Sequence, residues 1–530
     1  MFKCKSCGGD LIFNIAAQDM ECLFCGSHFP TADYAEDKAA EEYRDPDSYE
    51  ATIYTCTQCG GELTSPDNSA VAFCSFCGTE AVLNSRIEKL KRPEKIIPFS
   101  KTKEECRQIY LDLAKNEPYA PKEFSDPTFL EKFRGIYIPY WDLNVGFQKS
   151  PTLTVRESYN DNNYRYEDDY SVQTDLTGKQ VIIPQDASAG FDDELAASIL
   201  PFDRTKELDF SPAYLAGFFA DTADVAPEVY EEDAKRKAEE HVMEEVTDSF
   251  KGDAEAIVSD NPASRNELFG GFLKEAKMRL YPVWFLTWRK DKRLAYAIVN
   301  GETGQITAEV PIDVGKFLKI SGIIAIIAFL IMNVLGLVLT PDMILAISAG
   351  GALITQLLLR SEAEAIRARE LHENDMGSLS GKEQEKAMNK RDRNRKRDLS
   401  SGFLGTLLVL IIAVLVAGIY VFGSGFMPIA VFLTLVLGFF HFFKTLPSLT
   451  AIKEKYLFVA ALLPVAAECV AMVLALANAV EDWKYYVASI FLLGAMALAS
   501  FTMITQYNLL TTRSLPDFHN REGGNKDAGR

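Results

Sequence analysis

Hydrophobic and polar residues are unevenly distributed along this chain of 530 residues. Beyond residue 316 the apolar residues form six long runs, at 317–339, 343–359, 403–422, 427–443, 456–479 and 485–507. A helix of roughly 20 apolar residues spans the hydrocarbon core of a membrane, so the pattern predicts an all-α transmembrane region of about six helices. Its predicted units are a transmembrane hairpin (317–359), a charged loop (360–402), four transmembrane helices (403–507) and a tail (508–530).

Residues 87–316 show a different pattern, in which short β-like runs alternate with helical stretches. In "RLAYAIVNGETGQITAEV" the turn residues "NGETG" (300–304) separate two strand-like runs, which predicts a hairpin. In "TKEECRQIYLDLAKNE" Thr102 stands three residues before Glu105, the signature of a capped helix N-terminus. These segments predict an α+β domain.

Two aromatic segments of this domain share one feature. Pro139 precedes Trp141 by two residues, and Pro282 precedes Trp284 in the same way. We interpret the segments as equivalent core strands with proline at the edge, and an aromatic binding groove is the alternative. The acidic segment "YNDNNYRYEDDY" (159–170) fits a solvated hairpin tip, and it equally fits a contact for a basic partner.

Eight of the ten cysteines form four CxxC pairs within the first 77 residues. The spacing C-x2-C-x14-C-x2-C occurs twice, in Cys4, Cys7, Cys22, Cys25 and again in Cys56, Cys59, Cys74, Cys77. Thiolates in such pairs are typical zinc ligands, and a unit of about 25 residues is too small to fold on an apolar core alone. We therefore predict two zinc ribbons, at residues 1–30 and 52–86, each with one Zn2+ ion.

Four cysteines complete a tetrahedral site. We therefore expect neither a catalytic zinc, which needs an open coordination position, nor a ligand role for the nearby His28. Redox chemistry is the alternative for a CxxC pair, but no thioredoxin-like βαβ pattern accompanies these pairs. Residues 31–51, between the ribbons, are rich in charge and form either a linker or a short exposed helix, and we expect this segment to let the ribbons take independent positions.

Charge separates the chain into two parts. Residues 1–316 carry 35 Lys and Arg against 57 Asp and Glu, a net charge of −22, which makes nucleic acid an unlikely partner. In the membrane region Lys and Arg concentrate in alternate loops, as in "KRDRNRKR" (390–397), and such loops are cytoplasmic. The prediction is a multi-pass cell-membrane protein with both termini cytoplasmic. The same basic run either binds anionic membrane lipid or only fixes the topology.

Glu468, in "LLPVAAECVAMVL", is predicted to lie deep within a span. A carboxylate at that depth is costly, so Glu468 is a candidate functional residue. The structural alternative is a protonated glutamate bonded to a neighbouring helix. His441, in the preceding span, is the nearest titratable candidate and lies closer to the cytoplasmic surface. The sequence has no nucleophile–base pair, phosphate-binding loop or HExxH motif, and we expect no catalytic residues and no enzymatic activity.

With the ribbons and the segments "GIYIPYWDLN", "YPVWFL" and "VNGETGQI", residues 1–313 resemble a group of bacterial membrane proteins. These are the TFIIB-type zinc ribbon-containing, YdjG-like proteins associated with PspA-type membrane-stress systems. The resemblance implies that the eight paired cysteines bind zinc. It also implies a membrane anchor that recruits cytosolic partners such as PspA-like proteins.

Three functions remain to be weighed. A membrane-anchored scaffold that recruits cytosolic proteins, with a role in envelope stress, accounts for the duplicated closed metal sites and the lack of catalytic groups. A transporter or channel with a regulatory ribbon domain is the second hypothesis, and Glu468 is its main support. A nucleic-acid-binding ribbon protein is the third, and the negative charge of residues 1–316 argues against it. The oligomeric state is open at this point.

Overall fold

A computed structural model shows two small cysteine-containing units, a central α+β region and a bundle of long apolar helices. The multidomain layout predicted from the sequence is therefore confirmed. The structure describes residues 2–34, 48–65, 74, 76–79, 83–122, 130, 132–161, 164–188, 191–250, 253–259, 262–290, 293–334, 340–370, 376, 427–452, 455–477, 481–510 and 513–514.

The strands are β1 (Leu11–Asn14), β2 (Asp19–Cys22), β3 (His28–Phe29), β4 (Ser48–Cys56), β5 (Glu62–Ser65), β6 (Leu83–Lys91), β7 (Lys95–Ile96), β8 (Arg134–Phe147), β9 (Thr152–Asp161), β10 (Tyr164–Gln173), β11 (Gln180–Asp186), β12 (Leu208–Asp209), β13 (Phe219–Asp221), β14 (Asp253–Ile257), β15 (Gly271–Lys290), β16 (Arg293–Asn300), β17 (Ile306–Ala308) and β18 (Arg513–Ser514). The α-helices are α1 (Lys103–Asn116), α2 (Asp193–Ser198), α3 (Glu231–Thr247), α4 (Pro262–Phe269), α5 (Val314–Val334), α6 (Pro341–Glu370), α7 (Met427–Ile452), α8 (Lys455–Ala477) and α9 (Asp482–Leu510).

The antiparallel pair β8–β15 forms the centre of the largest sheet. Its register places Trp141 opposite Met278 and Tyr137 opposite Pro282. Every residue of β8 after Arg134 is buried. Because both faces of this strand are covered, its sequence is mostly apolar instead of alternating. Hydrogen bonds join the strands in the order β12-β7-β15-β8-β13-β5-β4-β6, with β11 on β8, β16 on β15, and β17 and β18 on β16.

The two prolines that mark the aromatic segments lie inside these central strands, so the prediction that they stand at the edge is wrong. Pro139 lies where the outer neighbour of β8 changes from β11 to β13. Pro282 lies where the neighbour of β15 changes from β7 to β16. Proline has no backbone N–H to donate, and each of these positions is a gap between two neighbouring strands.

A buried carboxylate links the central pair to the loop that follows α2. Asp142, on β8, accepts a hydrogen bond from Arg204 at 2.8 Å and a second one from Arg279 on β15. Arg279 also lies 3.2 Å from Glu207. A buried charge is tolerated when its partners satisfy it, and removal of one partner leaves the other charge uncompensated. This network therefore fixes the register of the two strands and the position of the loop.

Both cysteine-containing units are attached to this central region. In the second unit, β5 pairs with β13, and the Thr64 hydroxyl donates to the Ala220 carbonyl at 3.0 Å. In the first, the Phe13 amide donates to the Ala216 carbonyl at 3.0 Å, and the Phe13 ring lies edge-on to Tyr214. The prediction that the ribbons take independent positions is therefore wrong. Within the predicted linker, residues 35–47 lie outside the described residues, and β4 already begins at Ser48.

Local predictions for the central region agree with the structure. The turn "NGETG" joins β16 to β17, with Val299 opposite Ile306, and the Asn300 side chain accepts from the amides of Glu302 and Thr303. The acidic segment forms the end of β9 and most of β10, and this hairpin belongs to a separate three-stranded sheet with β14. Every residue of β10 except Val172 is exposed, so the hairpin interpretation is confirmed.

Five helices among the described residues, α5 to α9, are long and apolar enough to cross a membrane. The predicted span at 403–422 lies outside the described residues. Helix α6 continues to Glu370, beyond the predicted end of the span at 359, and in this extension Arg360 pairs with Glu364 one turn on. Small residues, mainly alanine, fill the interfaces of α6, α8 and α9, which lets the helices approach closely.

Two apolar clusters show the direction of the helices. One contains Leu345 of α6 and Val431 of α7, near the start of each helix. The other contains Ile366 and Leu449, near the end of each. Helices α6 and α7 therefore run in the same direction. Two successive membrane helices joined by a short loop would run in opposite directions.

The bundle is tied to the central region at the end where α5 begins and α9 finishes. The Asn508 side chain accepts from the Ile312 amide at 2.7 Å and donates to the Ile312 carbonyl at 2.9 Å. After α9, β18 pairs with β16. Met376, beyond the end of α6, donates its amide to Asp193 at 2.8 Å and is buried against the central region. These contacts hold the two regions together without a free linker.

Substitution of Thr102 tests the predicted cap of α1, which the structure confirms as a capping box with Glu105. Thr102→Ala should lower the free energy of unfolding by about 1 kcal/mol, because the Glu105 amide loses its acceptor. Hydrogen bonds from the Thr102 backbone and then its side chain lower the pKa of Glu105. The cap's contribution is therefore present above the ordinary carboxyl range and is lost as the pH falls through it. Tryptophan fluorescence during thermal unfolding of the purified full-length protein measures the difference.

Gln108→Ala is the matched control for this test. Gln108 lies on the same helix and bonds Asp112 at the surface, so its loss should leave the midpoint almost unchanged. Equal destabilisation by the two substitutions would contradict the role assigned to the cap.

Candidate metal centres

The same backbone turn occurs four times, once at each CxxC pair. The glycine four residues after the first cysteine of each pair donates its amide to that cysteine's carbonyl at 2.8–2.9 Å. These glycines, Gly8, Gly26, Gly60 and Gly78, have φ between 65° and 77°. This left-handed conformation is costly for residues with a Cβ, which explains why glycine stands at all four positions. The turn directs the two sulfurs of each pair to the same side.

The turns bring the predicted cysteines together in two clusters. In each cluster the four sulfur atoms lie within 4.8 Å of one another. Cys4 Sγ is 3.7 Å from Cys25 Sγ, and Cys7 Sγ is 3.5 Å from Cys22 Sγ. In the second cluster the corresponding distances, Cys56 to Cys77 and Cys59 to Cys74, are both 3.7 Å. Each cluster could hold one metal ion.

Backbone amides support the sulfurs of the first cluster. The Ser6 amide donates to Cys4 Sγ and the Gly9 amide to Cys7 Sγ, both at 3.4 Å. Hydrogen bonds with the Ser27 side chain and then with its backbone lower the pKa of Cys25 to about 6. Such bonds favour the thiolate, which is the form that binds a metal. His28 is not part of the cluster: its Nδ1 lies 3.0 Å from the Asp19 carboxylate, and that hydrogen bond raises the pKa of His28.

The two clusters differ in their surroundings. All four cysteines of the second are buried, whereas Cys7 and Cys25 of the first are exposed. The phenylalanine before the last cysteine shows the same contrast, since Phe24 is 84% exposed and Phe76 only 3%. The Phe76 carbonyl accepts a hydrogen bond from Tyr296 of β16. The second unit is thus part of the central core, and the first presents a face that the described residues leave uncovered.

The two candidate residues of the bundle lie in different surroundings. Glu468 is fully buried between α6, α7 and α8, close to Gln356 and Gly438. His441 lies on α7, one turn beyond Gly438. Its Nδ1 atom is 3.4 Å from Nη1 of Arg360 on α6. The sequence reasoning missed Gln356, although a lone amide in the apolar run "GALITQLLL" was a readable signal.

Two cysteine clusters and five apolar helices fit a membrane protein with a metal-binding domain. The chain is similar to a protein of Bacillus subtilis (strain 168) named uncharacterized protein YdjG, with 27% identity over 319 residues. The match covers 59% of this chain and 91% of that relative, so most of the remaining chain has no counterpart there. No protein-family model matches the chain, and no solved structure matches it.

Single substitutions in the two clusters should have different effects. The wild type is expected to bind two metal ions per chain, and Cys7→Ser and Cys59→Ser should each retain one, as measured by elemental analysis of the purified full-length protein. Cys59→Ser should lower the free energy of unfolding of the central region by at least about 2 kcal/mol more than Cys7→Ser does, because the second cluster lies in the core beside Tyr54 and Tyr140. Tryptophan fluorescence during unfolding reports this difference. Equal losses from the two variants would show that the second cluster does not support the core.

Proposed function

We propose that this protein is a membrane-anchored zinc-ribbon scaffold that recruits a cytosolic protein to the membrane. The observation that carries the proposal is the exposed face of the first ribbon. Leu23 and Phe24 are 68% and 84% exposed at the tip of a rigid metal-binding turn. These two side chains are adjacent, and a contiguous apolar patch on a rigid element is a candidate binding surface.

Zinc is the metal that we propose for the two clusters. A tetrahedral Zn–S4 centre with bonds of about 2.3 Å has sulfur atoms about 3.8 Å apart. The shortest contacts in the two clusters, 3.5 and 3.7 Å, are close to that value. Iron is the other common metal for four thiolates, and the absorption spectrum of the purified protein distinguishes it from colourless zinc.

The proposed topology has six spans with both termini in the cytoplasm. Because α6 and α7 run in the same direction, one further crossing between them is needed, and the apolar run at 403–422 is long enough to supply it. The excess of Lys and Arg lies in the loops at the end of the bundle that adjoins the central region. The ribbons would then face the cytosol.

The comparison of the two ribbons supports a docking role for the first. Both contain the same turn and the same phenylalanine, but the central region covers only Phe76. If the first ribbon served stability alone, we would expect Phe24 to be covered as Phe76 is. The family resemblance makes a PspA-type membrane-stress protein the first partner to test, with an apolar pocket for Leu23 and Phe24.

Binding of a purified PspA-type protein to the full-length protein in lipid nanodiscs tests this proposal. The double variant Leu23→Ser/Phe24→Ser should weaken binding at least tenfold, because both apolar side chains leave the interface, while its metal content stays unchanged. Ile87→Ser is the matched control, since Ile87 is 76% exposed on β6 and lies outside the first ribbon.

Three results would count against the proposal. Unchanged binding by the double variant would exclude the first ribbon as the docking surface. An equal loss with Ile87→Ser would indicate a nonspecific apolar effect. If the wild type does not bind the PspA-type protein at all, that partner is wrong.

A further inference from the structure

A carboxyl group without a partner lies in the middle of the helix bundle. Glu468 is near the centre of α8 and has no exposed surface. Neither of its two carboxyl oxygens has a hydrogen-bond partner among the described residues. Burial of a charge in apolar surroundings without a partner is strongly unfavourable, whereas the protonated acid is neutral and can itself donate.

The space around this carboxyl is formed by three helices. A Cβ on Gly438 of α7 would lie 2.6 Å from Glu468 Oε2 and 2.8 Å from the nearest atom of the Gln356 amide on α6. Both distances are shorter than ordinary Cβ contacts, so a side chain at this position would displace the ends of Glu468 and Gln356. Residues of three helices therefore meet closely at this one place.

Gln356 is occupied by backbone groups and does not neutralise the carboxyl. In the orientation that satisfies its amide, the nitrogen donates to the Gly438 carbonyl at 3.0 Å and the oxygen accepts from the Val465 amide at 3.3 Å. Val465 follows Pro464, which interrupts the hydrogen bonds of α8 because proline has no N–H. Gln356 thus joins three helices beside the interruption, and its amide makes no hydrogen bond to the carboxyl of Glu468.

The described charged groups closest along the helices to this site have partners other than Glu468. On α6, Arg360 is one turn from Gln356 and pairs with Glu364 at 2.9 Å, and it lies 3.4 Å from His441 of α7. Among the described side chains of helices α6 to α9, the other charged or titratable groups lie towards the helix ends or beside Glu468 itself: Asp342, Glu362, Arg367, Lys444, Lys455, Tyr456, Cys469, Asp482, Lys484, Tyr485, Tyr486 and Tyr507. No described ion pair includes Glu468, so a cation from a side chain does not balance an ionised form.

We propose that Glu468 is an intramembrane proton-binding site whose carboxyl is neutral at neutral pH and exchanges its proton through the end of the bundle where Arg360 and His441 lie. The ligand is a proton and not a metal cation, because the amide of Gln356 and the carbonyl of Gly438 bond each other and do not offer the six or so oxygens that such a cation requires. The site is separate from the ribbons and does not depend on the docking role.

Infrared difference spectra of the full-length protein in lipid vesicles test the site directly. The spectrum of the wild type minus that of Glu468→Gln isolates this one carboxyl, and the variant keeps its shape and polarity. At neutral pH we expect the carbonyl band of a protonated acid, with a shift to lower frequency after transfer to D2O. His441→Gln should slow that shift severalfold, whereas Ser489→Ala, a buried change elsewhere in the bundle, should leave its rate unchanged.

Each alternative gives a distinct result. Carboxylate bands at neutral pH would show that Glu468 is ionised and would overturn the proposal. A protonated band that does not shift in D2O would show a sealed structural acid. Loss of the band on addition of Na+, but not of choline, would identify a cation site. An unchanged exchange rate in His441→Gln would exclude the proposed path.

Discussion

The pairing of β8 with β15 is the constraint on which the rest of the structure depends. The two strands are far apart in sequence, and each is bordered by other strands on its outer side. The second ribbon joins this sheet through β13, and the segment that leads to the membrane follows β16 and β17. An error in the β8–β15 register would separate Asp142 from Arg279 and misplace the ribbon and the bundle together.

The two ribbons share one sequence motif but differ in how much of their surface is buried. The backbone turn and the sulfur geometry are the same in both, because four thiolates must meet around one ion. The outer surface of each turn is under no such requirement. In one copy it became part of the central core, as the burial of Phe76 shows, and in the other Phe24 stayed at the surface. The metal sites therefore explain the likeness of the ribbons, and the packing explains their difference.

Local chemistry was readable from the sequence, and long-range pairing was not. The cysteine turns, the cap at Thr102 and the turn between β16 and β17 each depend on residues within a few positions of one another. The attachment of the ribbons depends instead on contacts such as Thr64 with Ala220, which no spacing reveals. The same is true of Pro282, whose place inside a strand depends on where two neighbouring strands end. Glu468 could be singled out by its cost in a membrane, but its surroundings, Gln356 and Gly438, come from other helices.

The position of β18 has a consequence for the order in which the protein is made. This strand follows the last membrane helix, yet it pairs with β16, which precedes the first. During synthesis the edge of β16 at Arg293 and Leu294 therefore waits for β18 until the whole bundle has been inserted. A bundle that assembles incorrectly would leave this edge unpaired, and an unpaired strand edge favours association with other chains. Completion of the sheet therefore depends on assembly of the helix bundle.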